Sequence, residues 1–579
     1  MNSLTRRDQL WHLSQKSKVS VLIIGAGING IATFRDLALQ HVDVLLVDKG
    51  DFCSGTSSSS SHMIHGGLRY LENGEFRLVR EAVQERNRLL QLAPHYVKPL
   101  PTMIPIFNWC SGIWETAAKF LGRSAPFSSS TVPQLVQSGV KGHQRGGAIV
   151  KLGLMLYELW NLPPIMTKIR MPNHRFQLRT SSLKQFPELS PDIVATAIYY
   201  DAVVLFPERL AIELVVETER MSQSANAINY LSVVGMSDSS RTVLLQDEVS
   251  GKQFQIQPEL VINATGPWID LTNKKLNQPT DFIGGTKGSH LVLDHPQLRE
   301  SIGEHMVFFE NDDGRIVLLL PYFDNVIVGT TDIRVDQPEV CCTQEEITYL
   351  LEMIGRVFPH IKVEHSQIVY TFSGVRPLPN DRGMESTGQI SRDHQNKIVK
   401  QPGCSFPVFN LVGGKWTTFR TLAEQVTDQS LEFLGRRRCI DTRNLMIGGG
   451  KDYPFKDWKR WVDTVAGKYQ VDPEIVRKLF NRYGTGAKTI IKHIWEPLLS
   501  KPSPHDKGKL NDFDFVDQTK SLSNASSYYV GEVRFIAEQE KVVFVEDFIR
   551  RRSNLALLGQ DTPQLKAELT EIMADLLPC

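Results

Sequence analysis

The sequence predicts an α/β protein with a helical C-terminal part, and three stretches of it carry that reading. Val19 to Ile24 is an apolar run, interrupted only by Ser20, suited to a strand buried on both faces. It enters Gly25-Ala26-Gly27-Ile28-Asn29-Gly30, after which Ile31 to Leu39 carries helical spacing. A second apolar strand, Val42 to Val47, ends in Asp48, 18 residues past Gly30. Strand, glycine turn, helix, strand and terminal acid make a Rossmann-like βαβ unit about 30 residues long, with a right-handed crossover.

Farther along, a helix is expected over 75–93 and strands over 228–234, 241–247, 260–264, 290–293, 316–320 and 325–329. From about 441 the text turns helical and charged, as in VDPEIVRKLFNRYG and TPQLKAELTEIMADLL, so a separate helical domain is placed at 441–579. A chain of 579 residues should form two or three domains. Its net charge of +1 gives no electrostatic case for nucleic acid as a partner. The seven cysteines are scattered without CxxC spacing, which argues against a disulfide framework and against a zinc or other metal site. The first twenty residues are polar and mixed, and no apolar run approaches the roughly 18 residues of a spanning helix. The expected setting is therefore the cytoplasm.

The glycine turn has a chemical purpose. Gly25 permits the tight turn, Gly27 lets a pyrophosphate reach backbone N–H groups, and Gly30 lets the helix pack close to the strand. Asp48 can accept hydrogen bonds from both ribose hydroxyls, which disfavours a 2′-phosphate. The unit calls for an unphosphorylated adenine dinucleotide, FAD or NAD, and by itself does not choose between them. The stretch SSSSSHMIHGGLRYL, residues 57–71, helps to choose. Serines supply hydrogen bonds without bulk, and Gly66-Gly67 admits a flat ring. A linker would show the same serines, but HMIHGGLRYL is not linker text.

IIGAGINGIATFRDLA, SGTSSSSSHMIHGGLRYLENGEFRLVREAVQERNRLLQLAPH, VINATGPWID, TKGSH, VGTTDI, TFSGVRPL and LVGGKWTTFRTLAE follow one another in the chain. Together these motifs resemble the FAD-dependent glycerol-3-phosphate dehydrogenases of the aerobic, respiratory type. The resemblance covers roughly 20–105 and 150–430, with a weaker trace through the C-terminal domain. It implies a flavoprotein fold of the amino-acid-oxidase and glutathione-reductase-2 type. In that fold an FAD domain (18–105, 190–275 and 370–435) packs on a substrate domain built around an antiparallel sheet (106–189 and 276–369). The implied reaction oxidises sn-glycerol 3-phosphate to dihydroxyacetone phosphate, with FAD reduced and a quinone taking the electrons on the inner face of the cell membrane. A glycerol-3-phosphate oxidase, which delivers electrons to oxygen, shares these motifs, and a homodimer is left open. An amine or amino-acid oxidase would need a carboxylate clamp instead. A catalytically silent flavin-binding module is the alternative of a different kind.

Hydride transfer from a secondary alcohol to a flavin needs a phosphate clamp, an acceptor for the hydroxyl proton, and positive charge near the reduced ring. The planar fork of arginine suits the first task. By resemblance, Arg376 and Arg392 are the phosphate-binding arginines, and Arg69 and Tyr70 are further substrate-side groups. Lys415 and Thr418 lie where the last FAD segment meets flavin and substrate. His65 and His290 are both candidates for the proton acceptor. The cofactor-binding set is Gly25, Gly27, Asn29, Gly30 and Asp48 from the βαβ unit. Thr56, Ser57, Ser58, Ser61, His65, Gly66 and Gly67 join it from the serine loop. Ala264, Gly266, Gly374, Gly414, Lys415 and Thr417 complete it.

Three departures from the family text stand out. Phe206-Pro207-Glu208 replaces an acidic pair and a small residue, which puts the substrate in doubt and makes a longer polyol phosphate, such as erythritol phosphate, an alternative. Trp416 stands where the family has an aliphatic residue. Some 25–30 extra residues lie between 106 and 150, and Ile106, Trp109, Cys110, Ile113, Trp114, Ala117, Phe120 and Leu121 fall at helical spacing there. A helix at 106–122 with this stripe suits the headgroup layer of a membrane, or equally the protein's own core.

Overall fold

The computed structural model describes residues 5–67, 75–109, 150–158 apart from 152 and 156, 171–237, 241–311, 315–380, 393–499 and 518–577. Two sheets and a helical domain organise them. The first sheet has a parallel centre in the order 408–412, 253–263, 18–24, 44–47 and 225–228. The strand Gln395–Val399 adds an antiparallel edge beside Val408–Val412. An antiparallel meander, Leu231–Met236 and Val243–Asp247, leads into Gln253–Asn263.

The apolar run of the strand Lys18–Ile24 serves both faces of this sheet. Val21 and Ile23 pack under the helices Ile28–Leu39, Pro207–Met221 and Phe419–Phe433, while Val19, Leu22 and Ile24 face Leu231, Val243 and Phe254. A strand covered on both sides reads as continuously apolar for this reason.

The second sheet runs 368–376, 286–293, 325–329, 316–322, 306–310, 97–106 and 195–204. Met63–Ile64 and Arg175–Leu178 pair on the far side of 195–204, and every pairing is antiparallel except 306–310 with 97–106. Ala195–Val204 and all but the end residues of Val97–Ile106 and Ile368–Arg376 fall in the ranges expected for the cofactor domain, yet they pair in this second sheet. The chain crosses between the sheets within single segments, so linear ranges do not separate them. One face packs Leu291, Leu293, Val317, Leu319 and Val328 on the helix Gln344–Val357, and the period-2 alternation puts His290 on the opposite face.

The strand expected at 228–234 is broken at Asn229-Tyr230, where Tyr230 has a positive φ, into Ala225–Ile228 and Leu231–Met236. The helix expected at 75–93 spans Phe76–Leu92. Helices Trp458–Tyr469, Pro473–Tyr483, Ala487–Leu499, Val530–Gln539 and Pro563–Met573 build the C-terminal part around Val476, Phe480, Ile491, Val533, Phe548 and Leu565. Asp472 and Thr562 cap two of them with their side chains, each followed by proline at the first helical position. Ile106 ends a strand rather than opening a helix, and residues 110–122 lie outside the described residues.

Candidate active site

A cavity of about 1470 Å³ lies between the two sheets. Its first wall is mostly backbone and small side chains. Gly27 precedes the helix Ile28–Leu39 as its N-cap and brings no side chain of its own, so the start of the helix reaches the cavity wall with only the Ser57 hydroxyl on its first N–H. A Cβ on Gly30 would sit 2.0 Å from the Gly25 carbonyl oxygen, so only glycine lets the helix come this close. Asp48 closes the adjacent strand and accepts hydrogen bonds from the N–H groups of Ala26 (2.6 Å) and Gly50 (2.9 Å). Burial pushes its carboxyl up to about 6.

The serine run is a folded loop. Ser57 Oγ accepts from the Ile28 N–H at 3.0 Å, Thr56 donates to the Val375 carbonyl at 2.7 Å, and Ser61 Oγ lies 2.8 Å from His290 Nε2. Trp416 gains a purpose here, because its indole N–H donates to the Ser57 carbonyl at 2.9 Å. The final segment closes over the same loop. Gly414 has φ 87°, and a Cβ on it would meet Asn29 Nδ2 at 2.3 Å. Asn29 donates to the Gly413 carbonyl at 3.3 Å, and its Oδ1 has no hydrogen-bond partner among the described residues. Thr417 Oγ1 accepts from the His65 N–H at 3.2 Å.

The second wall is made of long side chains on the second sheet. Arg376 ends the strand Ile368–Arg376 and donates to Asp332 Oδ1 (3.2 Å), Thr330 Oγ1 (3.0 Å) and the Thr331 carbonyl (3.3 Å). His290 is buried and stacks on Phe372, with ring centroids 4.6 Å apart. Burial first, then the nearby Arg376 and His62, push its pKa down to about 3, so the ring is neutral. Glu346 lies behind this wall, accepting from Ser289 Oγ (2.8 Å) and Thr331 Oγ1 (2.7 Å) and pairing with Lys287 at 2.6 Å.

Gly25, Gly27, Asn29, Asp48, Thr56, Ser57, Ser61, His65, Gly67, Ala264, Gly266, Gly414, Lys415 and Thr417 all line the cavity, with His290 and Arg376 opposite. Five expected residues stand behind the wall instead. Thr418 is buried at the start of the helix Phe419–Phe433 and does not line the cavity, whereas its neighbour Thr417 does. Ser58 donates to the Gly55 carbonyl of its own loop. Gly30 meets Gly25, Gly374 meets Ser59, and Gly66 donates its N–H to Tyr157 and Asp201. Arg69, Tyr70 and Arg392 lie outside the described residues.

Several lining residues were missed in the sequence. Asp332 lies within VGTTDI, where nothing local marks the acid, whereas Arg315, just before the strand Ile316–Tyr322, and Arg334, at the end of Ile333–Arg334, carry no signal beyond being arginines. Lys49 and Glu339 also line it unannounced: Glu339 Oε1 accepts from the Trp268 N–H at 2.5 Å, and Lys49 lies 4.3 Å above the Trp268 ring. The departure at 206–208 is away from the cavity. Pro207 opens a helix, and Arg209 pairs with Glu540 of the C-terminal domain while lying 4.8 Å from the Tyr483 ring.

The family model described as FAD dependent oxidoreductase matches residues 20–418, and that of the C-terminal domain of alpha-glycerophosphate oxidase matches 440–578. A glycerol-3-phosphate dehydrogenase of Synechocystis is 32% identical, over 94% of this chain and 90% of its own length. A mitochondrial glycerol-3-phosphate dehydrogenase of Macaca fascicularis is 27% identical, over 98% of this chain and 72% of its own. The solved glycerol-3-phosphate dehydrogenase of Bacillus halodurans, complexed with FAD, superposes with a TM-score of 0.70 at 21% identity, covering 99% of this chain and 94% of that one. The chain belongs to the FAD-dependent oxidoreductases. Within them it falls in the glycerol-3-phosphate dehydrogenase and oxidase family, and FAD is its cofactor. The first wall fits that cofactor: a glycine-capped helix start for the pyrophosphate, a buried carboxylate for the ribose, and an unmet acceptor on Asn29.

Proposed function

We propose that the enzyme oxidises sn-glycerol 3-phosphate at C2 to dihydroxyacetone phosphate. The observation that carries this is the meeting, on one wall of a dinucleotide cavity, of the Arg376 guanidinium with the buried neutral ring of His290. Bound FAD supplies the acceptor for the C2 hydride. Arg376, its fork held by Thr330, Thr331 and Asp332, binds the phosphate dianion and aims C2. His290 takes the hydroxyl proton as the C2–O bond becomes a carbonyl, the bound phosphate offsetting the Arg376 charge that lowers the basicity of the ring, and Ser61 orients it. Lys415 adds positive charge on the flavin side; the family resemblance assigns Arg392 to the phosphate and Arg69 and Tyr70 to the substrate side. Anaerobic addition of glycerol 3-phosphate should bleach the flavin absorbance, with inorganic phosphate competing; a yellow enzyme that stays yellow overturns the reading.

A longer polyol phosphate loses its main support, because residues 206–208 do not line the cavity. Electrons then pass to a quinone at a membrane surface, and quinone-dye reduction outrunning oxygen uptake distinguishes this from an oxidase. No helix among the described residues is long and apolar enough to cross a membrane. Peripheral contact through the 106–122 region is supported by the half-exposed Trp109 ring, 5.9 Å from Phe176. Replacing Trp109 and Trp114 by serine should release the enzyme from anionic vesicles with dye-coupled activity retained; full retention on the vesicles assigns the stripe to the interior.

A further inference from the structure

Asp51 lies three residues past Asp48, just before the serine loop, and is fully buried. Its carboxylate is held from the other end of the chain. Arg551 Nε donates to Oδ2 at 2.5 Å, Arg552 Nη1 to Oδ2 at 2.5 Å, and Arg552 Nη2 to Oδ1 at 3.0 Å. Both arginines belong to one π-helical turn, Phe548–Arg552, of the C-terminal domain. Arg552 is braced in turn by the Glu540 carbonyl at 3.1 and 2.8 Å. Asn229 bridges the two parts, donating to Asp51 Oδ1 at 2.8 Å and to the Lys541 carbonyl at 3.0 Å. Tyr230 donates to Asp547 at 2.5 Å, and Asp547 also accepts from Arg551 at 2.5 Å. Two acids and two guanidinium groups thus form a buried neutral cluster. Burial alone would raise the Asp51 pKa, but Arg552 and Arg551 outweigh it and hold the acid ionised.

What the cluster holds is the adenosine end of the cavity. On one side of Asp51, the Asp48 and Gly50 carbonyls accept from Leu231 (2.6 Å) and Tyr230 (2.9 Å), and Gly50 N–H binds the Asp48 carboxylate. On the other side, Cys53 N–H reaches the Ala26 carbonyl in the glycine turn at 2.8 Å, and Ser54 to Ser57 line the cavity. A shift of Asp51 therefore moves both the ribose acceptor and the serine loop.

We infer that the C-terminal domain is part of the cofactor-holding machinery: Arg551 and Arg552 are positioning residues that fix the flavin loop through Asp51. Docking of that domain and retention of FAD are then linked, and by reciprocity each stabilises the other. The coupling stands on FAD binding alone and is independent of which alcohol is oxidised.

The test uses the full-length holoenzyme. After rapid dilution, flavin fluorescence should report FAD release at least about tenfold faster in Asp51→Asn and in Arg552→Lys, at unchanged helical content. Arg482→Lys is the control. It weakens a buried ion pair with Glu532 that lies wholly within the C-terminal domain, so it should lower Tm while leaving FAD release unaltered. In wild type, FAD loading should slow hydrogen exchange of amides 545–556 by at least about fivefold, and in Asp51→Asn this protection should vanish. Unaltered release in both Asp51→Asn and Arg552→Lys, or wild-type exchange indifferent to FAD, overturns the inference. If a variant fails to fold, the wild-type exchange comparison still decides.

Discussion

The two walls of the cavity are built on different principles. The flavin wall draws on residues 24–67, with short additions at 264–268 and 411–417, and it recognises through backbone N–H groups, hydroxyls and the space that glycines leave. The substrate wall draws single long side chains from strands that meet only by pairing, as Thr286 does with Arg376 and His290 with Phe372. A dinucleotide phosphate needs a loop shape, which adjacent residues can make alone. A small phosphorylated alcohol needs charges aimed at one point, which takes a finished sheet.

Substitutions should separate the walls, and the largest effect belongs to the first. Gly30→Val should purify colourless, because a side chain there forces the helix off the strand; normal flavin absorbance would show that the turn tolerates bulk. His290→Ala should keep its colour and lose about 10²–10⁴-fold in kcat, the usual worth of a general base. If His65→Ala shows that loss instead, the proton acceptor is on the flavin wall. Arg376→Ala should lower kcat/KM for glycerol 3-phosphate roughly 30- to 150-fold, since a charge-assisted clamp contributes about 2–3 kcal/mol. Binding of FAD to the apoenzyme should be unaffected.

A pH effect tests the flavin wall by itself. Burial raises the Asp48 pKa to about 6 in the folded chain, and ribose hydroxyls that donate to the carboxylate favour its ionised form. FAD binding must therefore tighten as pH rises through 6 and weaken by up to about tenfold per pH unit below it. Titration of apoenzyme with FAD between pH 4.5 and 8 (about the range in which the fold should survive) reads this directly, and Asp48→Asn should flatten the profile. The smallest effect is expected of Thr418→Val, within about twofold of wild type in KM, because the residue does not line the cavity and its buried hydroxyl has no hydrogen-bond partner among the described residues. Thr417→Val, one residue earlier, should loosen the His65 loop and raise KM more.

The glycine turn and Asp48 were legible because strand, turn, helix and acid obey local geometry within about 30 residues. The helices from 458 onward were legible for the same reason: periodicity and caps such as Asp472 and Thr562 are short-range signals. Domain ranges were not, since nothing in VKPLPTMIPI (97–106) or IVYTFSGVR (368–376) marks the sheet it joins, and only pairing assigns it. Asp332 escaped attention because a carboxylate earns its place there only by facing Arg376. Thr417 and Thr418 are alike in the sequence, and the onset of a helix decides which one faces the cavity.

The sequence alone therefore determined the dinucleotide unit, the cofactor class and the helical ending, all of which rest on contacts between near neighbours in the chain. Tertiary structure decided which arginine meets which acid. His290 reaches Ser61 across 229 positions and Arg552 reaches Asp51 across 501. Such meetings depend on the packing of whole sheets and domains, and no local pattern of residue types encodes them.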